Sequence, residues 1–218
     1  SHAVVDYNNI TETIYDTPGL WNMNSEYFWR VDEVYSTETV KGDIWRFETL
    51  DHISFEDFES YPDTDDLKMT WSDQSHPDNN SGSYISLHTA SPQIRDNQSL
   101  LMYGFSNVSG YSETDRAIPP EYADFSAETG TGIKALYFWF YGLASNPTTD
   151  PLYVMLEDDV NSVIVYYPDS NDLKLEQWQL WRINVVDFNI LDLSNVKNIT
   201  IGLGDRYSGG GGATFVQI

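Results

Sequence analysis

The stretch PLYVMLEDDVNSVIVYYP, residues 151–168, predicts two strands joined by a tight turn. Each half is rich in β-branched and aromatic residues, which favour the pleated, half-buried surface of a sheet. The polar residues from Asp158 to Ser162 separate the two halves and are of the types common in turns. The stretch therefore predicts a β-hairpin and, with it, an all-β fold.

Short apolar runs of the same kind continue along the rest of the chain. Helical periodicity is nearly absent, and the runs end at Gly, Pro, Asn or Asp, as strands usually do. ALYFWFYGL is apolar at nearly every position, which predicts a central strand covered on both faces. About ten such strands predict a sandwich or a jelly roll. The predicted strands are EYFWRVDEV, DIWRFET, SYISLHT, SLLMYGF, ALYFWFYGL, PLYVMLEDD, SVIVYYP, LWRINVV, NITIGLGD and ATFVQI.

The composition changes near residue 50 and divides the chain into a short and a long segment. EYFWRVDEVYSTETVKGDIWRFETL, residues 26–50, predicts a second hairpin, because two aromatic and β-branched runs flank a polar stretch. From DHISFEDFESYPD onward, one continuous β pattern follows. We place the boundary at about His52, which gives segments 1–51 and 52–218.

The chain is strongly acidic, with 34 acidic residues against 11 basic ones and a formal net charge of −23. It lacks the basic face that nucleic acid or anionic lipid requires, and no apolar run approaches the ~18 residues of a membrane-spanning helix. Without cysteine it has neither disulfides nor thiolate metal sites. The acidity keeps a secreted protein soluble, or it supplies the roughly six to eight oxygen ligands that calcium takes.

Two parts of the chain resemble modules of large secreted bacterial proteins. EYFWRVDEVYSTETVKGDIWRFET resembles the last two strands of fibronectin type III-like domains over residues 27–49, and no counterpart of the first half of such a domain is present. FEDFESYPDTDDLKMTW, IKALYFWFYG and LSNVKNITIGLGDR belong to a resemblance over residues 53–212 to galactose-binding-type jelly rolls, the architecture of many carbohydrate-binding modules. These resemblances imply a jelly-roll β-sandwich preceded by a partial fibronectin type III-like segment.

Carboxylates early in the second segment are the candidate calcium ligands. The resemblance implies Asp57 and Glu59, which match the early acidic stretch of related jelly rolls, whereas their late Asp-Asp pair is replaced by GATFVQI. YPDTDD concentrates three more carboxylates, and LEDD at 156–159 is a further candidate. The alternative is an Asp-rich turn whose carboxylates bond to their own backbone. The predicted ligands are Asp57, Glu59, Asp63, Asp65 and Asp66.

Sugar binding requires exposed aromatic rings that stack on the pyranose, with a few polar groups for its hydroxyls. Trp29, Trp45, Trp139 and Trp181 lie within strand patterns, which predicts that they are core residues. Aromatic residues in polar or Gly-rich surroundings, with nearby charged side chains, are the binding candidates. They are Trp71, Asp73, Tyr111, Asp115, Arg116, Tyr122, Trp178, Asp205, Arg206 and Tyr207. For the two arginines the alternative is pairing with some of the many carboxylates.

Catalytic motifs are absent from the sequence. The four histidines have no metal-ligand spacing, and neither a nucleophile elbow nor a phosphate-binding loop occurs. A glycosidase needs two carboxylates across a cleft, but among 34 acidic residues such a pair carries no information. We therefore expect that the protein is not an enzyme.

Two functional hypotheses follow. The first is a non-catalytic, extracellular carbohydrate-binding module for a polysaccharide or other glycan, with calcium as a structural cofactor. The alternative is a structural cell-surface or extracellular filament subunit that self-associates head to tail, because an incomplete sandwich can be completed by a strand from a neighbouring copy. Both predict a secreted or cell-surface protein that neither binds nucleic acid nor inserts into a membrane.

Overall fold

The computed structural model describes residues 25–48, 54–90, 97–104, 110–126, 133–207 and 214–218. The chain divides into two compact units, residues 1–53 and 54–218. Across the described ranges the structure is dominated by strands, which confirms the all-β prediction. No helix in these ranges has the length and apolar character needed to cross a membrane.

The described part of the first unit, residues 25–48, contains two antiparallel strand pairs. Strand β1 (Glu26–Trp29) pairs with β4 (Trp45–Glu48), and β2 (Glu33–Val34) pairs with β3 (Thr39–Val40). The hairpin predicted from residues 26–50 is therefore present. The resemblance of this unit to a fibronectin type III domain stays a prediction.

Paired aromatic rings lie across β1 and β4. Tyr27 stacks on Phe47 with ring centroids 5.5 Å apart, and Trp29 stacks on Trp45 at 6.1 Å. Trp29 is 50% exposed and Trp45 is 58% exposed. The prediction that these two tryptophans are core residues is therefore wrong, because about half of each side chain stays exposed to solvent.

The second unit is a sandwich of two antiparallel sheets. One has four strands, in the order β10 (Ser162–Tyr166), β9 (Leu152–Glu157), β12 (Asn198–Gly204), β7 (Tyr111–Ala117). The other has five strands, in the order β11 (Trp178–Asn184), β8 (Ala135–Tyr141), β13 (Phe215–Gln217), β6 (Ser99–Gly104), β5 (Ser83–His88). The hairpin predicted over residues 151–168 is the β9–β10 pair.

Alternate residues of each strand form the core between the sheets. Leu152 and Leu156 of β9 pack in one apolar cluster with Phe140 of β8 and Val216 of β13, all fully buried. Trp181 of β11 belongs to the same cluster, as predicted. Because side chains alternate along a strand, each sheet also presents an outer face that points away from this core.

Strand β8 differs from its prediction on one face. It lies between β11 and β13, but Tyr137 on its outer face is 55% exposed. Trp139 shares that outer face rather than joining the core cluster, so the predictions of a doubly covered strand and of a core Trp139 are wrong. Only the face of β8 that points towards the four-stranded sheet joins the core cluster, although the strand is apolar on both faces.

One α-helix, α1 (Thr64–Thr70), forms where the sequence predicts an acidic loop. The Asp63 carboxylate caps it by accepting hydrogen bonds from the backbone N–H groups of Asp65 and Asp66. Asp65 and Asp66 occupy the first turn, where negative charge is favourable beside the helix dipole. These three carboxylates therefore have a structural role at the start of α1.

Candidate functional site

The outer face of the four-stranded sheet carries a group of polar and aromatic side chains that contact one another. β9 and β12 are the middle strands of this sheet, and they place Met155 and Tyr153 beside Thr200 and Gly202. The edge strand β7 adds Asp115 and Glu113 on the other side of β12. Residues 205–207, which follow β12 directly, lie close to this surface. We call it the outer face; its members are Tyr111, Glu113, Asp115, Tyr153, Met155, Glu157, Tyr166, Thr200, Gly202, Asp205, Arg206 and Tyr207.

Tyr153 forms the floor of the outer face. A Cβ atom placed on Gly202 would lie 2.0 Å from Cζ of Tyr153, so only glycine allows this ring to lie across β12. The Tyr153 hydroxyl donates a 2.6 Å hydrogen bond to Oε1 of Glu113, which also fixes the ring's direction. Tyr166 meets the same ring edge-on at 5.4 Å.

Arg206 joins three of these side chains. Its Nε lies 3.3 Å from Oε1 of Glu113, and its guanidinium carbon is 5.6 Å from the centroid of the Tyr111 ring. One of its terminal nitrogens lies 3.1 Å from the sulfur of Met155. Arg206 therefore pairs with a buried carboxylate while about a third of its own side chain stays exposed.

Burial and neighbouring charges set the protonation of the outer face. Burial is the main cause that raises the pKa of Glu113, and Asp115 adds to it, whereas the Tyr153 hydroxyl and Arg206 act in the opposite direction. Burial also raises the pKa of Glu157, whereas the charge of Arg206 acts in the opposite direction and Asp115 adds a smaller upward contribution. Burial and Glu113 together raise the pKa of Tyr153 far above its ordinary value, so this hydroxyl stays a donor.

The end of the outer face near β12 is open to solvent. Tyr207 is 80% exposed, and its backbone N–H donates to Oδ1 of Asp205 at 2.8 Å. The hydroxyl of Tyr166 lies below the surface and has no hydrogen-bond partner among the residues that the structure describes. The outer face thus combines an exposed ring, half-buried rings, carboxylates and one guanidinium, which suits a ligand with both hydroxyl groups and apolar faces.

Several residues predicted from the sequence come together on this surface. Asp115 lies beside Thr200, and the Ser72 hydroxyl donates to its carboxylate. The predicted residues that meet on the outer face are Tyr111, Asp115, Asp205, Arg206 and Tyr207.

Three other predicted residues pack into the unit instead: Trp71 and Asp73 are buried, and Tyr122 is half-buried against the core. Trp71 is 1% exposed and packs on Phe58, with ring centroids 5.8 Å apart, so the expectation of an exposed stacking ring is wrong at this position. Asp73 is also 1% exposed and pairs with Nζ of Lys68 at 2.8 Å. Tyr122 meets Phe55 edge-on at 5.6 Å. Each sits in a polar stretch of sequence that the fold covers.

The remaining two candidates lie away from the outer face. Arg116 pairs with the Glu56 carboxylate and lies 4.8 Å over the Phe55 ring, which agrees with the alternative that this arginine is a structural ion pair. Trp178 lies on the five-stranded sheet, on the side that points away from the core, where its ring meets that of Tyr141 edge-on with the ring centroids 5.8 Å apart.

The predicted calcium ligands have other partners in the structure. Glu59 accepts hydrogen bonds from the backbone N–H groups of Asn97 and Gln98 at 2.8 and 3.0 Å, and Asp57 accepts from the N–H of Glu59. Within the described ranges, no three His, Cys, Asp or Glu side chains form a group that could hold a metal ion. Calcium binding stays a prediction.

Seven residues of the outer face were not predicted as sugar-binding residues: Glu113, Tyr153, Met155, Glu157, Tyr166, Thr200 and Gly202. Glu157 lies in LEDD, which was predicted only as a further calcium candidate. Tyr153 and Glu157 alternate with core leucines in a strand that is apolar along almost its whole length, which hides the distinction between its two faces. Glu113 lies in YSETDRA, a polar strand that the apolar pattern did not reveal. The alternation of Ser and Thr with Glu and Asp in this stretch is a two-residue period, which is typical of a strand and could have indicated β7.

No protein-family model matches the chain, and neither does any curated protein. Among solved structures, the chain is similar to a family 11 carbohydrate-binding module from Clostridium thermocellum in complex with a β-1,3-1,4-mixed-linked tetrasaccharide. The identity is 12% and the TM-score 0.47, over 74% of this chain and 88% of that one.

Two further solved structures are similar to this chain over different parts of their own length. A carbohydrate-binding module of the β-sandwich superfamily, studied for promiscuous specificity, has 10% identity and a TM-score of 0.42 over 88% of this chain and 71% of that one. An exo-β-agarase has 13% identity and a TM-score of 0.42 over 62% of this chain, which spans only 21% of the agarase. Because these three TM-scores are below 0.5, the function is inferred from the chain's own residues.

Proposed function

We propose that the second unit is a non-catalytic carbohydrate-binding module that holds a glycan on the outer face. The observation that carries this proposal is the guanidinium of Arg206, which lies over the Tyr111 ring while it pairs with Glu113. Guanidinium and carboxylate groups bond to sugar hydroxyls, and tyrosine rings offer apolar faces to the pyranose. The exposed ring of Tyr207 extends this surface outward.

Glu113 supports the non-catalytic part of the proposal. A carboxyl group with a raised pKa is the type of residue that acts as a general acid in glycosidases. Glu113 is only 7% exposed, and one of its oxygens already accepts the Tyr153 hydroxyl and faces Arg206. It therefore positions the ring and the guanidinium rather than reaching a glycosidic oxygen.

The proposal extends to an extracellular or cell-surface location and to calcium as a structural cofactor. A surface with a net charge of −23 repels copies of itself and keeps an exported module soluble. Thermal unfolding in calcium chloride and in chelator, at matched ionic strength, tests the cofactor. A higher midpoint with calcium supports a bound ion, and equal midpoints contradict it.

Binding is tested by affinity gel electrophoresis against a panel of neutral β-glucans and galactans, followed by calorimetry. We expect Tyr207→Ala to weaken binding by roughly tenfold, the order of one lost aromatic contact. Tyr137→Ala is the matched control, because Tyr137 is an exposed tyrosine on the other sheet. If only the control variant loses affinity, the site is on the five-stranded sheet; if no glycan binds, the proposed function is refuted.

A second candidate function is self-assembly through the first unit. Large apolar side chains of the β1–β4 region are unusually exposed, among them Phe28 (61%), Val31 (66%) and Ile44 (68%). Within residues 25–48, β1 and β4 pair only with each other. Exposed apolar surface beside strand edges of this kind favours strand addition from another copy. Light scattering after size exclusion tests this: Ile44→Asp is expected to abolish large species, and a monomer at all concentrations contradicts assembly.

A further inference from the structure

Negative charge predominates on the outer face. Glu113, Asp115 and Glu157 lie on its strands, and Asp205 lies in the segment that follows β12. The basic side chain among the residues of this surface is Arg206, whose guanidinium already faces Glu113 at 3.3 Å. A carboxylate or sulfate group on a ligand would therefore meet further negative charge, and the guanidinium that could offset this charge already pairs with Glu113.

Asp115 and Glu157 are the carboxylates best placed to act on a ligand. Both are partly exposed, whereas Glu113 is buried beneath Arg206. Asp115 lies beside Thr200 on the edge strand β7, and Glu157 lies beside Asn198 at the end of β9. The Ser72 hydroxyl bonded to Asp115 is neutral, so it orients this carboxylate without cancelling its charge.

The acidic groups of this surface act on each other. After burial, the charge of Asp115 also raises the pKa of both Glu113 and Glu157, because like charges repel. A further negative charge brought by a ligand meets the same repulsion, and a surface that excludes water strengthens it. Like charges placed against a site are a common means of rejecting the wrong partner.

We infer that the outer face selects uncharged glycans and rejects polyanionic ones, with Asp115 and Glu157 as the residues that discriminate. This inference rests on the proposed function and names the ligand class of the same site. Uronate-rich and sulfated polysaccharides are the rejected class. Their neutral counterparts can use the rings and the hydroxyl-binding groups without bringing charge.

The test compares one polysaccharide in two charge states. Mixed-linkage β-glucan is measured before and after oxidation of its primary hydroxyls to carboxylates, by calorimetry in about 20 mM salt, where electrostatic screening is weak. We expect the oxidised glucan to bind at least about tenfold more weakly. In 1 M salt, where the screening length falls to about 3 Å, the ratio is expected to shrink to about threefold or less.

Two variants test whether Asp115 and Glu157 are the residues that weaken the binding of the oxidised glucan. Asp115→Asn and Glu157→Gln remove charge at nearly constant volume, and each is expected to reduce the neutral-to-oxidised affinity ratio by about threefold or more. Asp187→Asn, at an exposed position outside the surface, is the matched control and should leave that ratio unchanged. Methyl esterification of the oxidised glucan should restore its binding, since the esters carry no charge.

The outcomes separate this inference from the function on which it rests. Equal affinity for both glucans at low salt, or a ratio that neither salt nor the two variants alter, overturns charge selection and leaves glycan binding in place. A preference for the oxidised form overturns it as well. If neither glucan binds, the same comparison is made with each neutral glycan of the panel, and failure of all of them refutes the proposed function and this inference together.

Discussion

The side chain of Glu56 fixes the first residues of the second unit through several hydrogen bonds and an ion pair. One carboxylate oxygen of Glu56 accepts the Tyr61 hydroxyl at 2.8 Å and the Trp71 indole N–H at 3.2 Å, and it pairs with Arg116. The other oxygen accepts the backbone N–H of Phe58 at 2.8 Å. Glu56 therefore connects the start of this unit to the edge strand β7 through a largely buried ion pair.

Replacement of Glu56 is expected to be costly. Glu56→Gln keeps the size of the side chain but leaves the Arg116 charge without its partner, and breaking a buried pair in this way costs about 3–5 kcal/mol. The free energy of unfolding in urea at pH 7 measures this. Glu176→Gln, at an exposed position, is the control. A loss below about 1 kcal/mol, as for an exposed pair, would contradict the structural role.

The carboxylate of Asp158, in the turn between β9 and β10, makes the folding stability depend on pH. Backbone N–H groups of Asp192, Asn161 and Val160 donate to its carboxylate and lower its pKa to about 2, from an ordinary value of 3.8. Because the folded-state pKa is the lower one, the carboxylate stabilises the fold above about pH 4 and loses that effect as the pH falls towards 2.

Urea unfolding of Asp158→Asn across this pH range measures the effect. We expect the variant to be less stable than the wild type at pH 6–7, with the difference narrowing below about pH 4 and smallest near pH 2. A difference that stays constant from pH 7 to pH 2 would show that the ionised form is not what the three N–H groups hold.

At the level of strands, Gly202 of β12 makes room for the neighbouring strand's side chain. Its replacement by alanine would bring Cβ within 2.0 Å of the Tyr153 ring and push the hydroxyl away from Glu113. We expect Gly202→Ala to cost about 1–3 kcal/mol, the usual range for overpacking. In a Tyr153→Ala background the same substitution should cost clearly less, because no ring lies over β12. Equal costs in both backgrounds would contradict this contact.

Strand assignment from the sequence succeeded where apolar runs are continuous and failed where they are not. Strands β8, β9, β10 and β12 coincide with predicted runs. β7 was not among the predicted strands, because both its faces are polar: Thr114 donates to the Ser72 carbonyl, and Glu113 belongs to the outer face. Its pairing with β12, rather than its own composition, keeps it extended.

For the protein as a whole, the net charge of −23 predicts a stability that rises with salt. Repulsion between like charges opposes the compact state, and added ions screen it. We expect the unfolding midpoint to rise between about 20 mM and 0.5 M sodium chloride, by roughly 2–4 °C for each kcal/mol of repulsion that is removed. A midpoint that falls with salt would show that ion pairs such as Arg116–Glu56 outweigh the net repulsion.

The sequence by itself determined the short extended strands, the hairpin over residues 151–168 and the acidic, cysteine-free character of the chain. Those features depend on local preference and composition. Only the tertiary structure decided which side of each strand is covered, because strands such as β9 are apolar on both faces and their partners lie far away in sequence. For that reason Trp71 is buried while Tyr207 is exposed, although both lie in polar stretches. The meeting of Glu113, Tyr153 and Arg206 likewise required strand pairing across β7, β12 and β9, which no local pattern contains.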